Sequence, residues 1–306
     1  MEYVLQTQAL TKIYGHAKVV NEVSMHVEKG SIYGFIGKNG AGKTTFMRMA
    51  AGLAAPTSGS MTLFGSTELE KQRVRIGTLI ENPGMFPGMT AYENLETVRR
   101  SLGITEKGKI EEMLALTGLS NAGKKKTKNF SMGMKQRLGI AISLLRNPDF
   151  LILDEPINGL DPSGIKEVRD LIVKLNHEKQ ITILISSHIL GELSKIATHY
   201  GIIRDGVLME EFAASELEKR CRRCLKLVVE NPQQAASVLE RQFGLHNYDV
   251  PEPNTLRIFE RLEASAEINR VMIENGVVLQ ESYLAGQDLE GYFMELLGSS
   301  RNQEGV

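Results

Sequence analysis

The chain has 306 residues, 42% hydrophobic and 24% charged, with a formal net charge of −1. That composition excludes a disordered chain, leaves room for one large and one smaller domain, and lacks the basic excess of a nucleic-acid binder. Its two cysteines, Cys221 and Cys224, exclude a disulfide framework and fit a reducing compartment. The opening MEYVLQTQALTKIYG lacks the basic and apolar regions of a signal peptide, and no run reaches the ~18–20 apolar residues that span a bilayer. A cytosolic chain is expected, with any membrane role supplied through a partner.

In chain order, short β-like runs at Tyr3–Leu10 and Ser24–Val27 precede SIYGFIG, an apolar strand that leads straight into a glycine-rich loop and a helix. The loop Gly37–Thr44 reads GKNGAGKT and satisfies the G-x-x-x-x-G-K-[ST] pattern. Glycines let the backbone turn tightly, so that successive N–H groups point at phosphate oxygens, and the helix behind adds about half a positive charge at its N-terminus. The candidate phosphate-binding residues are Gly37, Lys38, Asn39, Gly40, Ala41, Gly42, Lys43, Thr44 and Thr45. Lys43 can reach the β- and γ-phosphates, and the Thr44 hydroxyl suits Mg²⁺.

The stretch from about Met85 to Asn147 reads as helical. Thr90 and Glu93 form a capping box, and Leu95, Val98 and Leu102 share one helical face. Strand character returns in FLILDE, residues 150–155, and again at Ile181–Ile185. Asp154 and Glu155 sit at the C-terminal end of a buried strand, where open α/β sheets bind ligands. Asp154 is the candidate second holder of Mg²⁺, and Glu155 the candidate base that orients or deprotonates water. Strands alternating with helices predict an α/β core around a mostly parallel sheet, with the middle segment as a helical insertion.

Beyond Leu217 the pattern changes. Cys224–Val229, Tyr248–Val250, Thr255–Phe259 and Val277–Tyr283 read as strands, and Pro232–Phe243, Leu262–Asn275 and Asp288–Leu297 as helices. That order suggests a small ferredoxin-like α+β domain over residues 217–306, after a nucleotide-binding domain over 1–216.

Read together, these motifs resemble those of ATP-binding-cassette (ABC) ATPases over about residues 2–215. Tyr14 stands where that family stacks an aromatic ring on adenine. FSMGMKQR, residues 130–137, resembles its signature, NGLD at 158–161 its D-loop, and His188 its switch histidine. The resemblance implies ATP and Mg²⁺ as cofactors and catalytic roles for Glu155 and His188. It also implies a head-to-tail dimer, expected as a homodimer, in which Ser131 and Gly133 of one subunit close on ATP held by the other. The expected partners are an integral membrane permease and a second ATP-binding subunit, on the cytoplasmic face, with no nucleic acid. The runner-up is a soluble ABC ATPase of DNA repair or translation, but the chain has one cassette and no heptad run.

Three positions depart from the family pattern. Met132 replaces a signature glycine, Met134 replaces the signature glutamine, and Glu81 stands where a glutamine usually contacts Mg²⁺ and couples to the permease. A carboxylate can ligate Mg²⁺ but accepts hydrogen bonds only, unless protonated. These departures resemble the bacitracin-resistance and lantibiotic-immunity transporter ATPases, which implies export of, or protection against, a peptide antibiotic. The run GKKKTK, residues 123–128, reads as a solvated loop. Cys221 and Cys224 read as a chance pair without a second metal-binding half.

Overall fold

The computed structural model describes residues 2–81, 84–106, 108–221, 223–286 and 292–293. The chain divides into two compact units, Met1–Ala214 and Ser215–Glu295.

The first unit opens with β1 (Tyr3–Tyr14), β2 (Ala17–Val23), β3 (His26–Glu28) and β4 (Ile32–Ile36), followed by α1 (Lys43–Ala50), β5 (Ser58–Leu63), α2 (Leu69–Arg73) and β6 (Ile76–Leu79). Three helices come next: α3 (Ala91–Ser101), α4 (Gly108–Leu116) and α5 (Met132–Ser143). The unit ends with β7 (Phe150–Leu153), α6 (Pro162–Lys179), β8 (Thr182–Ser187), α7 (Leu190–Leu193), β9 (His199–Arg204) and β10 (Val207–Ala213).

Six strands form a sheet in the order β10-β9-β4-β8-β7-β6, in which only the β10–β9 pair is antiparallel. This is the mostly parallel core expected from sequence. A second, antiparallel sheet is an addition to that expectation: β1 pairs with β2, β3 and β5. The expected runs Tyr3–Leu10 and Ser24–Val27 overlap β1 and β3, but register shifts in β1, with Ala9 and Glu22 at positive φ, keep the pairing from being read in the sequence.

Helix α1 packs between the sheets. Its Phe46 and Met47 are fully buried among Leu10, Val20, Phe35 and Phe150, and the Phe35 and Phe46 rings lie 5.3 Å apart. β4 is buried along its whole length, which explains its unbroken apolar reading. Its one hydroxyl is satisfied: Tyr33 donates to Glu211 Oε1 at 2.7 Å. Burial, reinforced by the Glu211 carboxylate, raises the Tyr33 phenol well above its ordinary value. Gly201 makes room for that hydroxyl, since a Cβ there would lie 2.2 Å from it.

The expected capping box starts α3, with the Thr90 side chain accepting from the Glu93 N–H and Glu93 accepting from the Thr90 N–H. Buried Asn94 and Thr127 bond the backbone of Phe86, tying the preceding loop to this helical region.

The second unit begins within α8 (Ala214–Cys221), after its first residue. It contains β11 (Cys224–Val229), α9 (Pro232–Phe243), β12 (Tyr248–Glu252), β13 (Thr255–Ile258), α10 (Ser265–Glu274) and β14 (Leu279–Ala285). Its strands run antiparallel in the order β12-β13-β11-β14, which is the ferredoxin-like arrangement. Leu225, Leu227, Leu256 and Ile258 pack on Leu239, Ile268 and Met272 of the two helices. β11 and α9 match their expected bounds, and Asn231 caps α9 through its side chain.

Two boundaries move. Leu262–Ala264 is a separate 3₁₀ turn. The last strand starts at Leu279, because Gly276 at φ +75° and the Val277 N–H bonded to Met272 O close the helix first. The helix expected at Asp288–Leu297 lies outside the described residues, apart from Tyr292 and Phe293. Cys221 and Cys224 form no disulfide.

Glu96 on α3 accepts from Arg99 at 2.8 and 3.0 Å and also from Arg100. These guanidiniums hold its carboxyl down to about 2, against an ordinary 4.5. A depressed carboxyl stabilises the fold above its unfolded value, and the contribution fades as pH falls through the folded one. Glu96→Gln is therefore expected to lower Tm at pH 7 and to lose that difference as pH drops from about 4.5 towards 2. Paired thermal melts across that range check this, and a pH-independent difference would count against the ion pairs.

Candidate nucleotide site

Parallel pairing of β4 with β8 and of β8 with β7 brings three strand ends together. The loop after β4, the acids after β7 and the histidine after β8 all leave the same edge of the sheet, where such folds bind ligands.

The loop is shaped by two glycines at positive φ, Gly40 at +83° and Gly42 at +104°. Gly42 also has no room for a side chain, because a Cβ would lie 2.5 Å from the Val19 carbonyl oxygen. Lys38, Asn39 and Gly40 are exposed, Ala41, Gly42 and Lys43 are buried, and Thr44 and Thr45 are half-buried. Lys43 donates to the carbonyls of Gly37 at 2.6 Å and Lys38 at 3.2 Å. Its ammonium thus arches over the loop, in place to meet a phosphate.

The acids divide their partners. Thr44 Oγ1 donates to Asp154 Oδ2 at 2.7 Å, and Ser186 Oγ donates to Asp154 Oδ1 at 2.6 Å. Glu155 sits at φ +48°. Its Oε2 meets His188 Nδ1 at 2.8 Å, while its Oε1 is buried without a hydrogen bond, 3.4 Å from Lys43 Nζ. With a proton on Nδ1, the His188 ring donates to Glu155 and leaves Nε2 as an acceptor.

The Thr44 hydroxyl and Asp154 carboxylate present hard oxygens side by side. Among the described residues no cluster of three His, Cys, Asp or Glu could hold a metal ion. Mg²⁺ suits such a pair, because it typically takes one or two protein oxygens and completes its shell with water and substrate phosphates.

The remaining expected residues lie elsewhere in the unit. Glu81, at φ +62°, is paired with Arg48 of α1. Tyr14 ends β1 with an exposed ring, and the Lys12 ammonium stands 4.9 Å from its centroid. Ser131 caps α5 by accepting from the Met134 N–H at 3.3 Å, and Gly133 is buried in the first turn. Met132 beside them is 48% exposed. Sequence reading misses Ser186 and Arg48. The only trace of the first is the serine pair in ISSH.

Residues 20–158 match the family model described as ABC transporter. The bacitracin transport ATP-binding protein BcrA of Bacillus licheniformis is 43% identical over 301 residues, covering 97% of this chain and 98% of that one. The chain belongs to the ABC transporter family. As an ATP-binding subunit of that family it binds and hydrolyses ATP. The lantibiotic transport ATP-binding protein SrtF of Streptococcus pyogenes is 45% identical over 215 residues, covering 70% of this chain and 93% of its own length. In fold, the chain is similar to cbiO1 of Clostridium perfringens, with a TM-score of 0.65 at 22% identity over 80% of this chain and 97% of that one. It is also similar to a dimeric cassette bound to ADP and Pi, with a TM-score of 0.62 at 23% identity over 69% of this chain and 98% of that one.

The two loop glycines give a matched test. At Gly40 a Cβ would stand in open space, whereas at Gly42 a carbonyl is in the way. Gly40→Ala is expected to cost about 1–2 kcal/mol of stability from its left-handed backbone alone, and Gly42→Ala to cost more and to abolish ATP binding. Denaturant unfolding with nucleotide titration measures both, and equal effects would contradict the reading of Val19 as a steric limit.

Proposed function

We propose that this chain powers a separate membrane permease that exports, or protects the cell against, a peptide antibiotic of the bacitracin or lantibiotic type. The observation that carries the catalytic part is the convergence of Lys43, Thr44, Asp154, Glu155 and His188 at one sheet edge. The substrate class rests on likeness to the bacitracin and lantibiotic transport proteins. The relationship to BcrA spans both units of the chain.

In this reading the loop amides and Lys43 hold the phosphates, and Thr44 and Asp154 would hold Mg²⁺, which when bound would supply charge neutralisation at the phosphates. Glu155 takes a proton from water as the water oxygen attacks the γ-phosphorus and ADP leaves with the bridging oxygen. His188 keeps the Glu155 carboxylate aimed through Nδ1–H, and when the ring carries both protons its Nε2–H donates to the γ-phosphate. Tyr14 stacks on the adenine.

Ser131 and Gly133 act across a cassette dimer. The α5 N-terminus presents backbone N–H groups suited to a second phosphate contact. Glu81 lies in the loop that couples nucleotide state to the permease. Among the described residues no helix is long and apolar enough to cross a membrane. The unit after residue 214 is an accessory to the cassette; a relative that aligns with 215 residues, 70% of this chain, supports a cassette that works without a further unit.

Glu155→Gln is expected to retain ATP binding but lose at least ~100-fold in hydrolysis, and to abolish bacitracin resistance in a sensitive host that also expresses the permease. Lys43→Ala is expected to weaken nucleotide binding itself. Unimpaired hydrolysis by Glu155→Gln would sink the assignment of the base. Full resistance with a hydrolysis-dead chain would sink the transport reading.

A further inference from the structure

We infer that Ser186 is a positioning residue for ATP hydrolysis, holding both acids of the site in one arrangement; this rests on the reading of Glu155 as the base. β7 and β8 are in parallel register, with Ile152 opposite Leu184 and Leu153 opposite Ile185. The next residues along are Asp154 and Ser186, and the register sets them side by side. Ser186 is fully buried, at 0% exposure.

Its hydroxyl bonds in two directions. It donates to Asp154 Oδ1 at 2.6 Å, and its oxygen accepts the backbone N–H of Glu155 at 2.9 Å. The first bond leaves Oδ2 to Thr44 and so fixes the rotation of the Asp154 carboxylate. The second engages the backbone of a non-glycine residue held at φ +48°. Such a backbone is unfavourable on its own and persists where the surroundings over-determine it. Ser186 is one such constraint, and Asn158 N–H bonding to Glu155 O at 3.1 Å is another. Through this backbone the Glu155 side chain is set between Lys43 and His188.

Alanine at 186 keeps the strand but frees Asp154 to rotate and leaves the partly buried Glu155 N–H without its acceptor. Both effects bear on alignment for attack more than on holding nucleotide. The neighbouring Ser187 differs, because its hydroxyl accepts the Ile189 N–H at 2.9 Å and so shapes the turn carrying His188.

The test uses the purified full chain with Ser186→Ala, Ser187→Ala and Glu155→Gln. It measures kcat and KM for ATP, equilibrium binding of a fluorescent ATP analogue with and without Mg²⁺, and thermal unfolding. Ser186→Ala is expected to lower kcat at least tenfold while analogue affinity without Mg²⁺ stays within about twofold of the parent and Tm changes little. The Mg²⁺ concentration needed for half-maximal binding is expected to rise several-fold. Unchanged kcat and Mg²⁺ dependence would overturn the proposal. So would a parallel fall in kcat, metal-free affinity and Tm, which marks a merely structural residue. Combining Ser186→Ala with Glu155→Gln separates the two readings. If Glu155→Gln still hydrolyses ATP, the base assignment falls, while the Mg²⁺ shift caused by Ser186→Ala in that background still reports on the hold over Asp154.

Discussion

The 2.7 Å hydrogen bond from Thr44 to Asp154 is the contact on which the site depends. It joins the first turn of α1 to the end of β7, residues 110 positions apart. Helix α1 follows the proposed phosphate loop and β7 carries the acids, so this bond fixes the distance between the two parts of the proposed site. Packing reinforces it, because Phe46 and Phe150 belong to one core beneath the bond. The apolar strands thus do more than stabilise the unit: their parallel register decides which polar groups meet at its edge.

Around that bond the charges form a closed set. Lys43 faces the loop carbonyls and Glu155, Asp154 is held by two hydroxyls, and Glu155 is held by His188. Each side chain is held by a partner within the chain, and fixed groups of this kind are what electrostatic catalysis with little reorganisation requires. The Arg48–Glu81 pair lies outside this set. An exposed ion pair of this kind is worth little energy and can exchange readily, which is consistent with the nucleotide-sensing role proposed for the Glu81 segment.

Much of this is legible in the sequence, and the divide is physical. GKNGAGKT, FLILDE and the capping box are contiguous, so their chemistry follows from local spacing, and the structure has the α/β core and ferredoxin-like strand order that the pattern suggests. What is not legible depends on register or on distant pairing. Ser186 acquires its partners only once β7 and β8 are aligned. Tyr33 and Glu211 meet across 178 residues, so nothing local announces how a hydroxyl in an apolar strand is satisfied. The β-like runs of the antiparallel sheet are legible but their pairing is not, because bulges in β1 shift its register.

The most direct measurement is a double-mutant cycle between Thr44→Val and Asp154→Asn, read by calorimetry of ATP binding in the presence of Mg²⁺. If the two side chains act as one unit, the second substitution adds little to the first, giving a coupling of about 1–3 kcal/mol. Additive losses within ~0.5 kcal/mol would mean that loop and strand work independently, and would contradict the account of the site as a single assembly set by strand register.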